Sequence, residues 1–459
     1  MNENDDFFMR KAIELAKKGI GKVNPNPLVG AVIVKESQIL AEGYHKKYGD
    51  LHAERDAFQN FFNTKCEESG EKNKNSEGKL KEKSRQELKD ELKGATLYVT
   101  LTPCCHFGKQ PPCTDAIIEN KIARVVIGSR DPNPLVGEKS IKILENAGIE
   151  VKRDCLKSEC DSLNEVFFKF IQNKTPYVVM KYAMTADGKI ATKTNESKWI
   201  SGEKSIEFVH FLRNKYMGIM VGINTVLLDN PMLNCRLKFE PEKTNEDEEA
   251  KEVNNPKKYD VRQPVRIICD SKLRIPMDSN IVKTANKYQT IIATAFTEVP
   301  DGEIVDSYKV LPDIIADKIK QLQKKSVVII NACARESKVE MIDDETKEKD
   351  TRKKDTREKD TRKYEKKVDL VKLMRFLGKM KIDGILLEGG ATLNENALKS
   401  NIVDEVFCIV APKIFGGKAK SPVDGDGISK IKDAYKMSVK DVKLLNNDVV
   451  IRYKVASEE

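Results

Sequence analysis

The first 174 residues alternate between two hydrophobic periods, one helical and one strand-like. Residues 5–18 carry apolar positions at helical spacing, 29–34 and 39–44 read as strands, and the stripe Ala57, Phe58, Phe61, Phe62 makes 53–62 a helix. Strands are predicted at 96–101 and 124–127. Thr114 is expected to cap a helix running to Asn120, and Gly148 to stop a helix over 139–147. This order predicts an α/β sandwich. A second series begins after Thr175-Pro176, with strands at 177–182, 218–221, 265–269, 290–294, 327–331, 384–387, 406–410 and 449–453 and helices near 205–215 and 370–380. The restart places a boundary near Thr175, giving domains 1–174 and 175–459, both α/β.

Three segments break the pattern: 65–93, 238–258 and 335–367 are mostly Lys, Glu, Asp and Asn, the last with a near-repeat of Lys-Asp-Thr-Arg. They offer too little apolar surface to offset ordering and read as solvated insertions. They also explain why 33% of the 459 residues are charged against 39% hydrophobic. The net charge of +9 is spread among 81 basic and 72 acidic residues, which argues against a nucleic-acid binder. No run of about 18 apolar residues predicts a membrane span. Asp5 and Asp6 stand where a secretory leader would be basic, so a cytoplasmic protein is expected. Ten cysteines without a regular framework then read as reduced thiols or metal ligands.

The chemistry gathers between His45 and Cys113, a window holding three of the four histidines together with Cys104, Cys105 and Cys113. His52-Ala53-Glu54 opens a predicted helix, and Pro103-Cys104 to Cys113 spans a strand-to-helix loop. Helix N-termini favour thiolate. One His and two Cys would leave a tetrahedral zinc an open position for an acidified water. Glu54 would shuttle protons without binding metal. His-x-Glu followed by Pro-Cys and a later Cys is the zinc deaminase signature, here with eight residues rather than two between the cysteines. A structural zinc with Cys105 or His106 as fourth ligand is the alternative.

Asn24-Pro25-Asn26-Pro27, Gly43-Tyr44-His45, His52-Ala53-Glu54, the run from Pro103 to Cys113 and Asp131-Pro132-Asn133-Pro134 resemble the deaminase domain of the bifunctional riboflavin biosynthesis deaminase/reductases. The resemblance implies a cytidine-deaminase-like α/β/α sandwich and one zinc per chain on His52, Cys104 and Cys113, with Glu54 as acid/base. It also implies pyrimidine contacts from Asn24, His45, His106, Lys109 and Asp131. Thr102 and Cys105 depart from the family's usual Glu and Ser without removing a zinc ligand.

In the second series, Lys181 to Ala191, Glu196 to Ser201 with the only tryptophan, Arg213, Val221 to Leu233, Arg236 and the strand ending at Glu388-Gly389-Gly390 resemble the same family's reductase domain. Two glycines before a helix let backbone N–H groups approach a phosphate. The resemblance implies a dihydrofolate-reductase-like fold that binds NADPH through Ala183, Trp199, Thr225, Asp229, Ser271 and the turn Gly390, Ala391, Thr392, Leu393, Asn394, Glu395, Asn396. Substrate would meet Ser197, Arg213, Leu233, Arg236 and Glu388, the arginines facing its phosphate. Lys181, with Asp229, is the candidate for proton handling. The expected function is zinc-dependent deamination of a diaminopyrimidine ribosyl phosphate followed by NADPH-dependent reduction of its ribosyl chain. The expected partners are small molecules, not nucleic acid or membrane, and a homo-oligomer is compatible with the sequence. A nucleoside or tRNA deaminase would account for the zinc motif but leave the second series unused. A non-catalytic zinc scaffold would leave Glu54 and Arg213 unexplained.

Overall fold

The structure, a computed structural model, describes residues 3–68, 82–133, 136–237, 261–334 and 366–456. Two compact units are present: Met1–Ile219 with Leu233–Val265 and Met374–Glu459, and Met220–Met232 with Arg266–Leu373. The charged stretches 238–258 and 335–365 lie outside the described residues.

The first unit begins with α1 (Glu3–Lys17), β1 (Gly30–Lys35), β2 (Gln38–Tyr44), α2 (Ala53–Glu68), α3 (Glu82–Leu92), β3 (Thr96–Leu101), α4 (Cys113–Glu119), β4 (Arg124–Ser129), α5 (Gly137–Asn146), β5 (Glu150–Lys152), α6 (Lys157–Leu163) and α7 (Glu165–Asn173). Its sheet has the order β2-β1-β3-β4-β5, antiparallel across β2-β1-β3 and parallel across β3-β4-β5. Side chains alternate between two cores, as a strand's two-residue period requires. Ala31 and Ile33 of β1 pack with Ala57, Phe61, Ile117 and Leu144 from α2, α4 and α5. Val32 and Val34 pack on the other face with Met9 and Ile13 of α1 and Cys160 of α6. This is the expected α/β/α sandwich.

The chain continues with β6 (Tyr177–Thr185), α8 (Glu203–Lys215), β7 (Gly218–Gly222), α9 (Ile223–Asp229), β8 (Val265–Cys269), α10 (Asn280–Lys283), β9 (Thr290–Thr294), β10 (Gly302–Glu303), α11 (Asp313–Lys324), β11 (Val327–Asn331) and α12 (Leu370–Lys379). It ends with β12 (Gly384–Leu387), α13 (Ala391–Lys399), β13 (Val403–Ala411), β14 (Met437–Leu445) and β15 (Asp448–Val455). Within the first unit, β12, β6 and β13 run parallel, and β15 and β14 extend them antiparallel. Val179, Leu212, Tyr216, Leu386 and Ile409 form the core there, with Val166 of α7 against it. In the second unit, β8, β9 and β11 are parallel and β10 pairs antiparallel with β11.

Two expectations need correction. The segment 65–93 is not an insertion free of the core: α2 runs through Glu68, α3 covers Glu82–Leu92, and Leu92 is fully buried beside the sheet with Leu88 packed against the same cluster. A fully buried leucine contributes about 2 kcal/mol, enough to anchor a short charged helix. Thr114 is not the cap of α4. The helix starts at Cys113 with Pro112 at the cap position, and Thr114 is buried in its first turn. The helices α6, α7, α9, α10 and α11 and the strands β5, β10 and β14 are absent from the sequence reading.

Candidate active sites

The end of β2, the start of α2 and the β3–α4 loop meet at one point. Gly43 makes this possible, because a Cβ there would stand 2.2 Å from the Ala57 nitrogen and 2.6 Å from the Ala53 carbonyl, so only glycine lets α2 lie this close to β2. His52 immediately precedes α2, and its Nδ1 lies 3.4 Å from Cys104 Sγ and 3.4 Å from Cys113 Sγ. The three donor atoms lie within 4.8 Å of one another. The first N–H groups of α4 fix the cysteines relative to each other, since Cys113 N and Thr114 N donate to the Cys104 carbonyl at 3.0 and 3.1 Å and Cys113 N also points at Cys104 Sγ. The Cys113 thiol, with His52, holds the Cys104 thiol down at about 4, and Cys113 is in turn pushed up because Cys104 carries the charge. One imidazole nitrogen and two sulfurs, one of them readily ionised, fit zinc with a fourth position open.

Glu54, in the first turn of α2, is 3% exposed, and burial raises its carboxyl above the usual range. With His52 and Cys104 it lines a cleft of about 300 Å3. His45, His106, Lys109 and Asp131 line that cleft. The His45 ring donates from Nδ1 to the Leu51 carbonyl at 2.9 Å, so its Nε2 accepts from Asn26 Nδ2 at 3.2 Å, and burial keeps the ring neutral. Lys109 Nζ sits 3.9 Å from the Tyr48 ring centroid. Burial lifts Asp131 to about 6, although its carboxylate accepts from Asn133 N at 2.8 Å.

Asn24 is not in this cleft. Its amide donates to Asp383 at 2.6 Å and accepts from Arg262 at 2.8 Å, beside the core of the second series. Asn26, two residues on, lines the cleft instead, as do Asn133, Phe167 and Ile171. The two asparagines belong to the Asn-Pro motifs already quoted. Phe167 and Ile171 carry no local signal, because α7 is remote in sequence from the zinc motif.

A second cluster lies at the carboxyl end of β12, beside the middle of β6. Arg213 of α8 forms a two-pronged pair with Glu388, 2.7 and 2.8 Å, and donates to the Asn234 carbonyl at 3.1 Å. Burial opposes the Glu388 charge, but Arg213 and Lys181 outweigh it and hold the carboxyl at about 2. Burial lowers Lys181 below the usual lysine range and, with Arg213, His210 to about 4. Arg236 is exposed; its backbone N–H donates to His210 Nδ1 at 3.3 Å and its side chain to Asn234 at 2.7 Å. Leu233 is buried and Ser197 half-buried.

Of the expected NADPH contacts, Ala183 on β6, Trp199 and the turn from Gly390 to Asn396 belong to the first unit, and Thr225, Asp229 and Ser271 to the second. Gly389 has φ +88°, and α13 starts at Ala391 with no side chain capping it. Uncapped N–H groups behind a glycine pair fit a phosphate of the cofactor.

Residues 2–129 match the cytidine and deoxycytidylate deaminase zinc-binding region, and residues 176–451 match the RibD C-terminal domain. The riboflavin biosynthesis protein RibD of Actinobacillus pleuropneumoniae is 43% identical over 98% of this chain and 95% of its own length. The Escherichia coli protein of that name is 30% identical over 97% and 98%. Among solved structures, Acinetobacter baumannii RibD superposes with a TM-score of 0.71 at 28% identity, covering 99% of both chains. A diaminohydroxyphosphoribosylaminopyrimidine deaminase/5-amino-6-(5-phosphoribosylamino)uracil reductase from Thermotoga maritima gives 0.69 at 32% identity, also covering 99% of both. With a zinc deaminase sandwich and a reductase domain in one chain, the protein belongs to the RibD family of bifunctional riboflavin biosynthesis enzymes.

Proposed function

We propose that residues 1–174 deaminate 2,5-diamino-6-(5-phosphoribosylamino)pyrimidin-4(3H)-one and that residues 175–459 reduce the ribosyl chain of the resulting 5-amino-6-(5-phosphoribosylamino)uracil to ribityl. The observation that carries the first assignment is the buried Glu54 lining one cleft with His52 and Cys104, whose donor atoms converge with that of the buried Cys113. Those three residues would hold one zinc, which supplies an acidic water for addition to the ring carbon. Glu54 takes the proton from the attacking water and returns it to the departing ammonia. Its desolvation supports that role, because a carboxyl that readily holds a proton can both accept and release it. His45, His106, Lys109 and Asp131 orient the pyrimidine ribosyl phosphate, and Asn26 and Phe167 join them in place of Asn24.

In the second step NADPH supplies the hydride. Arg213 is engaged by Glu388 and Asn234, so we assign the substrate phosphate to the exposed Arg236 and give Arg213 the task of fixing Glu388. Lys181, poised by burial to give up a proton, protonates the sugar oxygen as the ring opens. We place the protein in the cytoplasm, where ten cysteines outside any disulfide stay reduced. No described helix is long and apolar enough to cross a membrane. We also propose a homo-oligomer, supported by the exposed Val439, Val442 and Leu444 of β14 and checked by sedimentation.

The test supplies the diaminopyrimidine ribosyl phosphate, follows ammonia without NADPH, and then follows NADPH oxidation. Glu54→Gln is expected to slow ammonia release by about 10²–10⁴-fold while still reducing added aminouracil intermediate. Wild-type ammonia release in that variant would refute the first assignment. NADPH consumption indifferent to the intermediate would refute the second.

A further inference from the structure

Two loops leave β6 and β13 side by side, since Thr185 and Ala411 are register partners at the ends of these parallel strands. The loops are laced together. Ala186 N donates to the Lys413 carbonyl at 2.8 Å and Ile190 N to the Lys420 carbonyl at 2.9 Å. The Asp187 carboxylate accepts from Phe415 N at 3.1 Å, Gly416 N at 2.7 Å and the Thr185 hydroxyl at 2.5 Å. One side chain reaches across to the far end of the first loop: Lys413 Nζ donates to the carbonyls of both Trp199 and Ile200, at 2.9 and 2.7 Å. Ile200 is buried, whereas the Trp199 indole beside it is 64% exposed.

An ammonium shared by two successive carbonyls fixes both peptide planes, and charge-assisted bonds of this kind are stronger than neutral ones. Trp199 has few packing contacts to set its orientation, as its exposure shows, so its backbone tether carries that task. We infer that Lys413 is a positioning residue for the cofactor, holding the peptides of Trp199 and Ile200 so that the indole is preset before NADPH arrives. The inference rests on the assignment of Trp199 to the NADPH site. Ordering the indole in advance removes an entropic cost from cofactor binding, so the effect belongs to affinity rather than to the hydride step.

Trp199 is the sole tryptophan of the chain, so indole emission reports this loop alone. NADPH absorbs where indole emits, and titration therefore yields its affinity by quenching. Lys413→Met is expected to lower the anisotropy of the free protein's emission and to weaken NADPH about tenfold, as the cost of ordering the loop returns to the binding step. KM for NADPH should rise in proportion with kcat within about twofold, because the hydride step itself is untouched. Lys413→Arg should recover most of the affinity, and ammonia release at the first site should not change in either variant. NADPH affinity and anisotropy like wild type in Lys413→Met, with quenching intact, would overturn the positioning role alone. Absence of any NADPH-dependent quenching in the wild-type protein would overturn the cofactor assignment of Trp199, and the inference with it.

Discussion

At the scale of single residues, the zinc centre was legible because its residues are chemically rare and fall in two compact motifs, His52-Ala53-Glu54 and Pro103-Cys104 to Cys113. Asn24 was misassigned for the opposite reason. It shares Asn24-Pro25-Asn26-Pro27 with Asn26, and nothing in the motif tells which asparagine faces the cleft. The geometry predicts a clean separation. Asn24→Ala, which removes the amide donor to Asp383 and one of the three acceptors of Arg262, should cost about 2 kcal/mol in denaturant unfolding and leave the first-site KM near wild type. Asn26→Ala removes the donor that faces His45 and should raise that KM with little loss of stability. Cys105 belongs to the same scale. It is not among the three converging donors, so Cys105→Ser should keep one zinc per chain by metal analysis, whereas Cys113→Ala should lose it.

At the scale of elements, strand and helix periods located the sheet that carries both cores, and the charged tract 65–93 misled only because composition cannot see a single anchor such as Leu92. Leu92→Ala should destabilise the protein by about 3 kcal/mol, a cavity cost no solvated loop would show. Gly43→Ala should push α2 from β2, cost about 2 kcal/mol and speed the loss of zinc to a chelator. The seat of α1 on the sheet is electrostatic as well as apolar. The Asp5 carboxylate, 1% exposed, accepts from Arg124 of β4, Lys152 of β5 and the Tyr98 hydroxyl of β3. Arg124 first, then Lys152, hold that carboxyl well below its ordinary 3.8, so the folded chain binds its proton later than the unfolded chain does. The resulting stability is complete above pH 4 and drains away as the pH falls below it. Asp5→Asn should flatten this acid limb of a stability-versus-pH curve and lower the plateau at neutral pH.

At the scale of the whole molecule, the resemblance reached both ends of the chain because each half carries its own motif set, but between them it offered only Asp131-Pro132-Asn133-Pro134 and was silent on α7. The two family profiles end at residue 129 and resume at 176. Yet Asp131, Asn133, Phe167 and Ile171, all in that gap, line the first cleft. A fragment ending at residue 164 should therefore keep every zinc ligand and still deaminate poorly, with KM raised more than kcat falls. One ending at 174 should recover part of the loss.

The helix α7 makes that recovery incomplete by design of the fold. Phe167 and Ile171 face the first cleft while Val166 packs with the core of β6 and β12. One nine-residue helix is thus common property of two catalysts. A substitution in this helix selected for its effect on one activity is therefore felt by the other, which ties the two halves together at α7. Genes encoding them separately would have to duplicate this helix or supply a substitute for its far face.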